Sequence, residues 1–247
     1  PEAALRSLLD DAQRRLEEMA TYQVRLTRVE RVGNQLLPEE NALLSIRREP
    51  KAVRLNWTEG PGKGREVIYS AAINDRVIHV NNANTSIPIP ARMSVAVDNP
   101  LVMRNSRHGI NEAGFDTIFE NMSKQIDEAG RPVGEGRISY KGLQSPSEGD
   151  EPCHLIQRIT PSKEVWRVYL DQENLMPVVV TAHQGDGELL ESYRYDDLVA
   201  NPPELASADA FDPDRRWGEA KGLFSRLATA AGAAAAAQPA ADQTRTR

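Results

Sequence analysis

Cystine chemistry has almost nothing to work with in this chain, which carries one cysteine, Cys153, in 247 residues. That excludes an intramolecular disulfide framework and any cysteine-rich zinc site. Aromatic side chains are scarce at 5% of the total, with 3 tryptophans and 4 phenylalanines, so where these few rings point carries weight. No run approaches the roughly 18 consecutive apolar residues of a membrane-spanning helix. Basic excess is missing too. The 30 Lys and Arg against 36 Asp and Glu leave a formal charge of -6, which argues against a protein that wraps nucleic acid, since that work needs a strong basic patch. What remains is a chain long enough to bury a sizeable core.

Catalytic signals are equally thin. The four histidines, His79, His108, His154 and His183, show neither HExxH nor HxH spacing, so neither a metal site nor a cofactor is expected. Cys153 and His154 are neighbours in an expected strand and point to opposite faces, which leaves the histidine badly placed to activate the thiol. Gly60-Pro61-Gly62-Lys63-Gly64 lacks the spacing of a phosphate-binding loop and is followed by a strand, so it reads as a hairpin turn. Ser106 and Ser139 have no nucleophile-elbow context. The acidic pairs Asp10-Asp11, Glu39-Glu40 and Asp196-Asp197 are contiguous and read as solvated faces or caps. No catalytic residue is assigned, and a non-enzyme is expected. A hydrolase using scattered carboxylates or His108 ranks last.

Hydrophobic periodicity is what the chain does have. Leu5, Leu8, Leu9, Ala12, Leu16 and Met19 fall at helical spacing, with Arg6, Arg14, Glu17 and Glu18 on the wet side. From Tyr22 the period drops to two, with Val24 and Leu26 alternating against Gln23, Arg25 and Thr27. Gly33-Asn34 punctuates the run as a turn. Short strands follow at 43–48, at 52–57 with Val53, Leu55 and Trp57 on one face, at 65–70 and at 76–80. Connections this short favour an antiparallel meander. Residues 81–106 read as a long irregular crossing with one short strand near 93–97. A second helix is expected over about 111–128, burying Phe115, Ile118, Phe119, Met122 and Ile126. Strands return at 136–141, 153–160, 164–170, 176–183 and 188–195. Phe211 and Trp217 are late anchors. The expected domain spans residues 1–217, and 218–247, with its alanine run, reads as a frayed or partly helical tail.

The stretch Ser106-Arg107-His108-Gly109-Ile110-Asn111-Glu112-Ala113-Gly114-Phe115 admits two readings. Asn111 as N-cap, Glu112 at the positive helix start, and Ile110 with Phe115 as a hydrophobic staple make it a helix start. Alternatively, Arg107, His108 and Glu112 form a polar rim at the mouth of whatever the helix covers. Capping accounts for more of the residues and is the preferred reading.

The order of elements resembles the LolA-like fold. The residues that carry the resemblance are Trp166-Arg167-Val168-Tyr169-Leu170-Asp171, Leu175-Met176-Pro177, Gly187 through Tyr193 and Tyr195, Asp197-Leu198, Asn201 and Phe211. The chain is also similar to the bacterial domain-of-unknown-function family 1571. That likeness rests on Tyr22 with Glu30-Arg31-Val32-Gly33, Arg47-Arg48-Glu49-Pro50 with Val53 and Trp57, Gly64-Arg65-Glu66-Val67-Ile68-Tyr69, and Ser106-Arg107-His108 with Gly114. It covers about residues 5–215. The resemblance implies an α+β protein, a strongly curved, unclosed antiparallel half-barrel with helices on the concave side. It further implies a periplasmic or otherwise extracytoplasmic location, a signal peptide having been removed ahead of Pro1.

A curved sheet lined with apolar side chains must be filled by helices or a ligand. The expected lining is Leu26, Val53, Leu55, Trp57, Val67 and Tyr69 from the sheet, with Phe115, Ile118, Phe119 and Met122 from the helix. Arg107, His108 and Glu112 form the rim. Plain core is the competing reading of every lining residue, because close-packed interiors look the same in a sequence. The resemblance implies a protein that holds an acyl chain or other apolar ligand, so the leading function is a non-enzymatic carrier or sensor of a lipid, lipoprotein acyl chain or other hydrophobic ligand. The alternative is a cell-envelope protein-interaction module with a filled core. Neither needs nucleic acid or a transmembrane segment.

Overall fold

Leucines at i, i+4 and i+11 give α1 (Glu2–Glu17) a single apolar stripe, and Leu5, Leu9, Ala12 and Leu16 are buried along it. The computed structural model describes residues 2–82, 92–104 and 106–218. After α1 come β1 (Thr21–Val32), β2 (Gln35–Leu36), β3 (Glu40–Arg47), β4 (Ala52–Trp57), β5 (Arg65–Ser70), β6 (Asn74–Asn82) and β7 (Arg92–Ala96). Two helices follow, α2 (Pro100–Met103) and α3 (Phe115–Ser123). The second set of strands is β8 (Arg137–Gln144), β9 (Cys153–Ile159), β10 (Val165–Leu170), β11 (Pro177–His183) and β12 (Leu189–Ala200). Short helices α4 (Pro203–Ala206) and α5 (Pro213–Trp217) end the described chain. The expected tail beyond residue 218, and residues 83–91 of the expected crossing, lie outside the described residues.

Among the described residues the strands form one twelve-stranded antiparallel sheet in the order β7-β6-β5-β4-β3-β1-β12-β11-β10-β9-β8, with β2 paired to β1. Two meanders are therefore fused along one seam, β1 against β12. β7 and β8 are the outer strands of the path and do not pair with each other among the described residues, so the sheet is unclosed. The α+β half-barrel expected from the resemblance is what the chain forms.

Period two divides each strand into faces. On β1 the even residues Tyr22, Val24, Leu26, Arg28 and Glu30 turn inward, and on β4 the odd residues Val53, Leu55 and Trp57 do so. Most of the buried apolar residues of both meanders, with those of α1 and α3, make one continuous core. On the opposite face Ala52, Leu205, Ala210 and Phe211 form a separate cluster. There the Phe211 ring lies beneath the guanidinium groups of Arg47, at 5.1 Å, and Arg54, at 5.9 Å. Arg54 donates to the Ala210 carbonyl at 2.9 Å, and Trp217 and Arg216 both donate to Glu66. The residues after β12 are thereby strapped across the backs of β3, β4 and β5.

The second helix departs from expectation. It is shorter, and Asn111 is not its cap. Ile110–Glu112 is an isolated 3-10 turn, residues 109 and 113 are extended, and α3 begins only after Gly114. Gly114 has φ 109, a conformation open to glycine, and a Cβ there would meet the Tyr22 hydroxyl at 2.8 Å. The cap comes from the sheet instead, where the Phe115 N–H donates to Tyr22 Oη at 2.7 Å. Ile110, placed in the sequence as half of a staple, lines the interior space.

Candidate functional site

Between the concave face and α3 lies a cavity of about 660 Å³, within the range of small-molecule sites, roughly 300–1,000 Å³. Its body is apolar. Leu26, Leu44, Leu55, Trp57, Val67, Ile78 and Val80 come from the first meander, and Met93 and Val95 from its outer strand. Ile138, Ile156, Val168, Val180 and Tyr195 come from the second. Ile110, Ala113, Ile118 and Met122 close it from the helical side, with Thr117, Asn121 and Gln125. Strands from both outer parts of the sheet face one space, which is possible only because the sheet curls round it.

Of the residues expected to line it, Leu26, Leu55, Trp57, Val67, Ile118 and Met122 do. Val53, Tyr69, Phe115 and Phe119 are buried in the core away from the cavity. The reason lies in ring packing. Phe115 stacks on Tyr22 at 4.7 Å, nearly parallel, and meets Tyr195 edge-on at 5.3 Å. Val53 pairs across the strands with Ile46 and Tyr69, and Ile46 pairs with Tyr22. This end of the concave face is thus filled by aromatic and aliphatic packing. His108 and Glu112 of the expected rim reach the cavity; Arg107 stands behind them.

One wall is polar, and most of it lies outside the expected site residues. Glu30 and Glu191 are direct cross-strand partners in the β1–β12 seam and are 3% and 0% exposed. Burying two carboxylates side by side demands compensating donors. Glu30 accepts from Tyr193 Oη at 2.5 Å, Ser106 Oγ at 3.3 Å and the Arg107 backbone N–H at 3.0 Å. Glu191 accepts from Arg107 Nε at 2.6 Å and from His108 Nε2 at 3.0 Å. The segment 106–108 therefore acts as a clasp over the pair, which corrects the preferred reading of Ser106 to Phe115 as a helix start. The Glu191 hydrogen bond raises the His108 pKa against the effect of burial, helped by the charges of Glu191, Glu112 and Glu30. Burial drives the Tyr193 hydroxyl well up, so it serves as a donor.

A second ion group adjoins the first. Arg28 donates to Glu40 at 2.6 Å, Trp57 Nε1 donates to the same carboxylate at 3.2 Å, and Arg65 donates to it at 3.3 Å. The Arg65 guanidinium also lies 3.8 Å over the Trp57 ring. Burial opposes ionisation of Glu40, yet Arg28, Trp57 and Arg65 outweigh it and its pKa falls. A signal for these residues was present. Arg28 and Glu30 continue the inward parity of Tyr22, Val24 and Leu26, and charge on a buried parity marks a paired site. Glu191 shares its parity with Tyr193 and Tyr195 in the same way, but only the strand pairing reveals that it meets Glu30.

Among the described residues no group of three or more His, Cys, Asp and Glu side chains is placed to hold a metal ion, and no helix is long and apolar enough to cross a membrane. The described residues form an unclosed antiparallel half-barrel with helices on its concave side and an apolar cavity beneath them, the architecture that the resemblance implies. The model of the family described as "Protein of unknown function (DUF1571)" matches residues 19–217, and the chain belongs to that family. No curated protein matches by sequence. Similar solved structures include an uncharacterized conserved protein from Thermus thermophilus, at 8% identity and TM-score 0.45, covering 81% of this chain and 90% of that one. The Mycobacterium tuberculosis lipoprotein LppX is similar at 12% identity and TM-score 0.43, covering 81% and 96%. A chain of the Pseudomonas aeruginosa MucA/MucB complex is similar at 15% identity and TM-score 0.41, covering 80% of this chain and 61% of that one. Likeness at this level carries no function across.

Proposed function

We propose that this protein is a non-enzymatic carrier or sensor that holds a lipid, an acyl chain or another hydrophobic ligand in its concave cavity, outside the cytoplasm. The observation that carries the reading is the cavity itself, about 660 Å³ between the sheet and α3, with a predominantly apolar lining. Space of that size left among Leu, Val, Ile and Met side chains forfeits dispersion contacts that a ligand would restore. The non-catalytic part is supported by the buried carboxylates. Glu30 and Glu191 are each held by several donors, an arrangement suited to fixing structure. The extracytoplasmic part rests on the family resemblance, and the lone buried thiol of Cys153 is compatible with folding there without disulfides.

Native mass spectrometry after gentle purification, together with displacement of a fluorescent fatty-acid probe, tests the reading. The expected result is a co-purifying lipid mass or saturable probe binding. Absence of both, with the fold intact by circular dichroism, would mean that the cavity holds no such ligand.

A further inference from the structure

Three of the charged groups that line the cavity, Arg158, Glu191 and Glu30, fall in one row of the sheet. In strand register, Arg158 on β9 pairs with Trp166 on β10, Trp166 with Ala182 on β11, Ala182 with Glu191 on β12, and Glu191 with Glu30 on β1. This is one continuous row across five strands. The next row inward, Ile156, Val168, Val180, Tyr193 and Arg28, is apolar over its first three members. Over β9 to β11 the lining thus passes from a row that carries Arg158 to one that is apolar, a form that suits an amphiphile.

Hydrogen-bonding capacity among the charged groups then decides the sign of the head group. The carboxylates Glu30 and Glu191 have their donors in Tyr193, Ser106, Arg107 and His108. The cations do not balance in the same way. Arg158 lines the cavity between the apolar cross-strand neighbours Ile138 and Trp166, and its buried Nε–H has no acceptor among the described residues. Its side chain makes no ion pair or hydrogen bond among them. On the other arm of the sheet Arg65 shares Glu40 with Arg28, and its Nε–H is likewise buried and unpartnered. A guanidinium carries donors and no acceptor; the buried, unmatched one on each arginine is its Nε–H, and a donor left so is costly. Among the described side chains that line the cavity, the buried polar atoms without a partner are these two Nε–H groups, so the unmatched surplus is of donors.

We infer that the ligand is an amphiphile with an anionic head, a carboxylate or a phosphate, seated against Arg158 at the polar row, with its apolar chain running toward Leu44, Ile156 and Met122. This rests on the carrier reading and adds the chemistry of the head. Glu191 lies three strands from Arg158, about 14 Å along the sheet at the usual strand spacing, and its charge is covered by Arg107 and His108. It therefore does not bar an anion from Arg158.

Competition against an uncharged fluorescent probe, using amphiphiles of equal chain length, tests the inference on the intact chain. The series is a fatty acid, a lysophosphatidic acid, a monoacylglycerol and an alkyltrimethylammonium. The acid and the phosphate should bind about tenfold or more tighter than the monoacylglycerol, the scale of a charge-assisted contact; their ratio identifies which head is preferred. Arg158→Gln should remove that advantage while leaving monoacylglycerol binding within about twofold, and Arg65→Gln should reduce it less. Equal or tighter binding of the uncharged or cationic member overturns the inference but leaves the carrier reading standing. So does an anionic preference that survives both substitutions in folded variants. Binding of no member would remove both. If Arg158→Gln does not fold, the head-group order of the unsubstituted protein decides alone.

Discussion

Glu30 and Glu191 stand directly opposite each other across the β1–β12 seam, both buried, and the backbone and side chain of Arg107 bind one each. A single residue thus ties the 106–108 segment to the joint between the two meanders. Arg107→Ala should leave Glu191 short of its strongest donor. Breaking a buried pair costs about 3–5 kcal/mol. Because the Arg107 side chain is 27% exposed and His108 stays in place, a loss of about 2 kcal/mol is expected. Urea denaturation would show it as a lower midpoint; an unchanged midpoint would mean that the clasp contributes nothing to stability.

His108 makes the same clasp sensitive to pH. Its folded pKa is raised above the ordinary 6.5, chiefly by the Glu191 hydrogen bond. A raised value means that the folded state holds the proton more tightly. The stabilisation is fully present below about pH 6.5 and is lost as the pH climbs through the folded value. The carboxylates that raise it are Glu191, Glu112 and Glu30, and Arg107 shares Glu191 with the imidazole. Hydrogen exchange across residues 106–113 should therefore quicken as the pH rises through that window, after correction for the intrinsic pH dependence of exchange. In His108→Gln the added step should vanish.

Tyr22 and Gly114 make a locked pair at the start of α3. Gly114→Ala places a Cβ 2.8 Å from the Tyr22 hydroxyl at φ 109, so a loss of about 2 kcal/mol or more is expected from strain and displacement together. Tyr22→Phe keeps the ring stack with Phe115 but leaves a buried N–H unmatched, at a cost of about 1–3 kcal/mol. Chemical denaturation of both variants measures this. The two losses should not add in the double variant, since both act on one contact.

Cavity and core can be told apart by filling. Val180 is buried and faces the cavity. In a close-packed core Val180→Phe would cost about 1–3 kcal/mol, whereas into open space it should cost less than about 1 kcal/mol and weaken probe binding. Thermal melts alongside a probe titration separate the outcomes. A large destabilisation would mark the space as already occupied by packing.

Much of the architecture was readable from period and punctuation. The alternation of Tyr22, Val24 and Leu26, the Gly33-Asn34 turn and the 65–70 strand all locate real elements, because period two and turn chemistry are local properties. The shortened α3 was not readable. Its start depends on how closely Gly114 approaches Tyr22, more than 90 residues away in sequence, and an apparent cap at Asn111 looked sufficient. The same limit applied to the site. Leu26 and Val53 have the same inward parity, yet one faces open space and the other faces Ile46. Distance along the barrel decides between them, and no pattern in the sequence encodes that distance. Glu30 carried a usable signal through its parity, whereas its pairing with Glu191 emerges only from tertiary structure.

The seam has a kinetic consequence. Tyr193 and Glu30, bonded across it, are separated by 163 positions. Closing it carries the entropy cost of a loop nearly as long as the domain before its contacts give any return. Until β12 is delivered, β1 presents an unpaired edge beside an apolar face, the hallmark of an aggregation-prone intermediate. A chain emerging N-terminus first holds half a sheet open for the time needed to deliver the other half. Its yield will depend on what shields that edge meanwhile.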